Sequence, residues 1–67
     1  LSNTAKIKMT QQIISQLKNE NLPADELSVI ERLTKNEGLS ESDAKNCIEK
    51  AVRIGAIIKT ESGEFSI

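Results

Sequence analysis

Apolar residues recur along the chain at helical spacing three times, then switch to alternation near the end. In the first stretch Ile7, Ile14 and Leu17 fall on one face, which Met9 and Ile13 widen, so a helix is predicted over Thr4–Asn19. Either Thr4 or Ser2 can cap its start by accepting from the free amides of the first turn. Asn19-Glu20-Asn21 stops it, and Leu22-Pro23 must be extended or turning, because proline excludes the helical conformation from the residue before it. A second helix is predicted from Ala24 or Asp25 to Asn36, with Leu27, Ile30 and Leu33 as its buried stripe and Val29 at the margin. Asn36-Glu37-Gly38 closes it, Gly38 serving as the left-handed terminal residue. Ser40 then caps a third helix, with Asp43 three residues later in a weak capping box. Its inner face is Ala44, Cys47, Ile48, Ala51 and Val52, and it ends near Ile54. After Gly55 the period falls to two. Ala56–Thr60 and Glu64–Ile67 form a hairpin around Glu61-Ser62-Gly63, with Phe65 and Ile67 on one face.

Helix, extended bridge, helix, tight glycine turn, helix and hairpin make up a winged helix-turn-helix: mainly α (α+β), three helices with a C-terminal two-stranded β-hairpin wing. Three short helices with few large side chains leave a core open on one side, and Ile57, Phe65 and Ile67 of the hairpin are expected to close it. The whole chain, 1–67, reads as one domain. It opens on Leu1 rather than Met and is expected to be excised from the C-terminus of a longer protein.

Composition removes most enzyme chemistry from this frame. The 67 residues include no His, Trp or Tyr, one Phe and one Cys. Histidine-based acid–base catalysis, a Cys₂His₂ finger, an internal disulfide and a multi-thiolate metal site are all excluded. No apolar run exceeds Ala56–Ile58, so neither a membrane span nor a signal peptide is expected. An intracellular location, cytoplasmic or nucleoid (nuclear in a eukaryote), follows as the expectation. The acidic pairs Asp25/Glu26 and Glu41/Asp43 sit at helix starts, where the dipole favours negative charge, so they are not read as catalytic. Gly38, Gly55 and Gly63 lie too far apart for a phosphate loop. Cys47, on an inner face, reads as a small apolar group. No catalytic residue, metal site or cofactor is expected.

Charge locates what remains. The net charge is −1, but its distribution is uneven. Lys6, Lys8 and Lys18 outweigh Glu20 in the first helix. Asp25, Glu26, Glu31 and Glu37 outweigh Arg32 and Lys35 in the second. The third balances Glu41, Asp43 and Glu49 against Lys45, Lys50 and Arg53. On this scaffold the third helix is the element that enters a DNA groove. The candidate nucleic-acid-binding residues are therefore Ser42, Lys45, Asn46, Lys50 and Arg53, with Lys59 on the wing near the backbone. The plainer reading of the same residues is a solvated helix face, since Asp43 and Glu49 interrupt the positive charge. With so few basic residues able to converge, DNA affinity is expected to be weak and strongly salt-dependent.

Several segments together resemble a known module: Val29-Ile30-Glu31-Arg32-Leu33, Glu37-Gly38-Leu39-Ser40, Cys47-Ile48-Glu49-Lys50, Gly55-Ala56-Ile57 and Ser62-Gly63. Their order is similar to the C-terminal winged helix of archaeal minichromosome maintenance (MCM) replicative helicases, over nearly the whole chain. At the wing the chain departs from that family, with Ile58-Lys59-Thr60-Glu61-Ser62 where an aromatic-Glu-Pro run is usual. The resemblance implies a non-catalytic regulatory appendage of a hexameric ATP-dependent DNA helicase that modulates ATPase and unwinding. Its implied partners are DNA, weakly, and the ATPase core or initiation proteins of a replication complex, with the isolated domain monomeric. Two other functions fit the same skeleton. One is a sequence-specific transcription regulator read through Lys45, Asn46, Lys50 and Arg53. The other is a protein-docking module like the small winged helix of replication protein A, using the acidic second helix.

Overall fold

The computed structural model describes residues 2–67 and has three helices followed by a hairpin: α1 (Asn3–Asn19), α2 (Glu26–Lys35), α3 (Glu41–Arg53), β1 (Ile58–Lys59) and β2 (Phe65–Ser66). This is a winged-helix-like α+β layout. Each helix starts on a side-chain cap. Ser2, rather than Thr4, caps α1 by accepting from the Ala5 amide at 3.1 Å. Asp25 caps α2 through Ser28 and Ser40 caps α3 through Asp43. The C-termini are closed by backbone. At α3 the Gly55 amide donates to Val52 O and the Ala56 amide to Ala51 O, with Gly55 at φ 79°. That left-handed turn suits glycine and sends the chain back toward the core as β1. Asn21 plays the same part after α1, at φ 59°.

The predicted core stripe of α2 needs correction. Leu27 is 79% exposed and Val29 fully buried, beside Ile30 and Leu33. Two successive steps of three residues walk about 120° around a helix of 3.6 residues per turn, so Leu27 and Leu33 cannot share one face. Positions 29, 30 and 33 do. Val52, expected inside, is 41% exposed at the edge of α3's apolar face. Thr10 is buried among the α1 aliphatics; its hydroxyl donates to Lys6 O at 2.9 Å, so no polar atom is left unsatisfied.

β1 and β2 are antiparallel, with Lys59 opposite Phe65 and Ile58 opposite Ser66, and are shorter than the alternation predicts. A third rung extends the sheet on the far side of β2. The extended bridge after Pro23 pairs there, Asp25 opposite Glu64, and the Phe65 amide donates to Ala24 O at 2.8 Å. The hairpin is thereby fixed to the α1–α2 connection. Ile57 and Phe65 plug the core as expected, whereas Ile67, past the last rung, is 58% exposed.

Asp25 carries a pH signature. The Ser28 amide bonded to its carboxylate holds that group below its ordinary value of 3.8. A carboxyl that is more acidic when folded stabilises the fold above its unfolded pKa, and the contribution drains away as pH falls through the lowered folded value. Asp25→Asn keeps an amide-accepting cap and removes the titration. Its urea midpoint is expected to fall less than the wild type's as pH is lowered below about 4. Parallel midpoint curves for the two proteins would contradict this.

Candidate nucleic-acid interface

α3 buries Ala44, Cys47, Ile48 and Ala51 against the other helices. The opposite row, in helical succession, is Ser42, Asn46, Glu49 and Arg53, all exposed. The row thus contains three of the six candidates and one acid. The other three lie to its sides. Lys45 faces the wing, where it lines a groove of about 270 Å³ with Glu26, Glu49, Val52 and Lys59. Lys50 turns the other way and is half-buried in a cleft against α1, which Asn46 also lines. The six residues therefore surround one helix without forming one cluster.

The electrostatics of this face are set by pairing along α3. Lys45 Nζ lies 3.4 Å from Glu41 Oε1, and Arg53 Nη2 lies 3.8 Å from Glu49 Oε1, both one turn apart. Such exposed pairs are worth roughly 0.3–0.5 kcal/mol each, so they barely stabilise the helix. Their larger consequence is for recognition, because two cations that could meet phosphates each have a carboxylate beside them. On α2, Arg32 is held by Glu20 in a two-bond fork at 2.8 and 3.1 Å, and Lys35 is 3.8 Å from Glu31. Among the described residues Lys50 and Lys59 make no ion pair. The fork holds Glu20 below the usual carboxylate range.

Cys47 is buried beneath this face, and burial pushes its thiol up, opposed by the nearby Lys6 ammonium and reinforced by Asp43. A thiol in that setting stays protonated and unreactive at neutral pH. Among the described residues no three His, Cys, Asp or Glu side chains gather as a metal site, and no helix is long and apolar enough to cross a membrane.

Two residues beside the interface, Asn3 and Lys6, were not among the sequence candidates. The only sequence signal was the basic start of the first helix. Which side of that helix meets α3 is decided by tertiary packing, and α1 packs its first two turns beside Asn46 and Lys50. No protein-family model, curated protein or solved structure matches the chain.

Proposed function

We propose that this chain is a non-catalytic regulatory winged-helix module of a DNA-replication helicase of the MCM kind, which modulates ATPase and unwinding through weak DNA contacts. The observation that supports an auxiliary role is the pairing of Lys45 with Glu41 and Arg53 with Glu49 on the exposed face of α3. A scaffold that presents a helix to DNA while neutralising that helix's own cations suits transient, sequence-tolerant binding. An autonomous operator-reading protein needs the same cations free for bidentate contact with base edges. The family is suggested by the segments from Val29–Leu33 to Ser62-Gly63.

Amide chemical-shift titrations with a mixed-sequence duplex, a single strand and an MCM ATPase core test this reading. Shifts are expected in α3 and the start of α1 at low salt, in fast exchange, with no preference among duplex sequences. If none of the three partners moves any amide, the proposal fails. If Arg53→Ala lowers affinity for one preferred duplex by about 1–3 kcal/mol while leaving others unchanged, the chain is a sequence-specific regulator instead.

A further inference from the structure

Where α1 crosses α3, side chains from both helices enclose a cleft of about 190 Å³. Asn3, Lys6 and Ile7 line it from α1, and Asp43, Asn46 and Lys50 from α3. The volume holds a phosphate group with a few waters, given about 30 Å³ for each water. Lys6 and Lys50 are both half-buried, their stems covering apolar surface while the ammonium groups stay hydrated.

Pairing sets Lys50 apart from the other cations of α2 and α3, and half-burial sets both Lys6 and Lys50 apart from Lys8, Lys18 and Lys59, which are exposed and also unpaired among the described residues. The other cations of α2 and α3, namely Arg32, Lys35, Lys45 and Arg53, each have a carboxylate within 4.0 Å. Among the described residues Lys6 and Lys50 have none, although Asp43 lines the same cleft. Two ammoniums sharing a cleft with one carboxylate leave excess positive charge there, which a bound anion would relieve. Asn3 and Asn46 add neutral amide donors. Two cations and two carboxamides suit a tetrahedral oxyanion with several acceptor oxygens.

We propose that the α1–α3 cleft is a phosphate-binding site in which Lys6 and Lys50 supply the charge and Asn3 and Asn46 the hydrogen bonds, and that it grips a backbone phosphate of a nucleic-acid strand. Asn46 connects the two surfaces, since it lines the cleft and also stands in the outer row of α3. A strand whose phosphate sits in the cleft therefore presents its next bases to Ser42 and Asn46. The nucleic-acid source of the phosphate rests on the function proposed above, while the cleft's affinity for phosphate does not.

The experiment uses Lys6→Gln, Lys50→Gln and their double variant, with Lys18→Gln, at the exposed far end of α1, as control. Duplex affinity is measured against salt, and side-chain amide shifts are followed with inorganic phosphate and with the duplex. Each single variant is expected to weaken duplex binding, and the double variant to reduce the log–log salt slope by about 0.9, the release expected for the one phosphate the two lysines share. Lys18→Gln should leave the slope unchanged. Inorganic phosphate should shift the Asn3 and Asn46 side-chain amides in the wild type and not in the double variant. A wild-type slope in the double variant would overturn the proposal of a strand-gripping site. If no nucleic acid binds at all, the DNA contacts of the proposed function fail, and phosphate-dependent shifts abolished in the double variant would still support the cleft. Absence of those shifts together with absence of nucleic-acid binding overturns it entirely.

Discussion

Phe65→Ala is expected to remove about a third or more of the domain's stability. Phe65 is the only aromatic residue in the chain and is 1% exposed. Truncating a buried Phe costs about 3–5 kcal/mol, the lost transfer term plus the cavity left behind. A domain of this size has a total stability of roughly 3–10 kcal/mol at typical per-residue values. The deletion therefore removes about a third of it or more. The position gives little room to relax, because the Phe65 amide is bonded to Ala24 O and its backbone is paired with Lys59. The core is thin and the remaining side chains are aliphatic, so nothing nearby can swing in to fill the space. The urea midpoint and the thermal midpoint followed by far-UV circular dichroism should both fall sharply. Phe65→Leu keeps much of the volume and should retain a cooperative melt at lower temperature. A Phe65→Ala protein with the wild-type urea midpoint would show that the hairpin does not close the core.

What could be read from the chain divides along local and tertiary lines. Ser40, Pro23, Gly38 and Gly55 act within a few residues of themselves, through a cap, a restricted neighbour or a left-handed turn, and element order follows from them. Side assignment within an element was less legible. Leu27 and Val29 differ only by where the centre of the α2 stripe falls, and a short helix with four large aliphatics does not mark that centre. Val52 and Ile67 are apolar residues at the rim, where hydrophobicity does not decide burial. The rung between Asp25 and Glu64, with its hydrogen bond from the Phe65 amide to Ala24 O, joins segments about forty residues apart in sequence, and no periodicity announces such a pairing. The same limit applies to the interface. Ser42, Asn46 and Arg53 were placed on an exposed face by helical spacing alone. That Lys50 leaves that face to meet Lys6 across the α1–α3 crossing depends on how two helices pack.

Removing the acids from α3 should change DNA binding more than removing any single cation. Glu41→Gln with Glu49→Gln leaves Lys45 and Arg53 without their partners at 3.4 and 3.8 Å. The fold should survive, since each exposed pair contributes roughly 0.3–0.5 kcal/mol and the loss of Glu41 from the first turn of α3 costs about 0.3–1 kcal/mol. On the proposed binding mode the cations flanking α3 that are unpaired among the described residues are Lys6, Lys50 and Lys59. Lys6 and Lys50 share one phosphate, so two contacts at about 0.9 each give a log–log salt slope near −1.8. A fourfold rise in salt should then weaken duplex binding about 12-fold. Freeing Lys45 and Arg53 allows four contacts, a slope near −3.6, and a loss of about 150-fold over the same salt range, from tighter binding at low salt. Glu37→Gln with Glu61→Gln, at two exposed acids outside α3 that make no ion pair among the described residues, changes net charge equally and separates contact from long-range attraction. Fluorescence anisotropy with a labelled duplex at several salt concentrations measures all three proteins. If this control variant steepens the slope as much as the α3 variant, the effect belongs to net charge and α3 is not the binding face. If the α3 variant keeps the wild-type slope, Lys45 and Arg53 do not reach phosphate even when released. Only a selective steepening from the α3 acids ties the weakness of the interface to the carboxylates built into it.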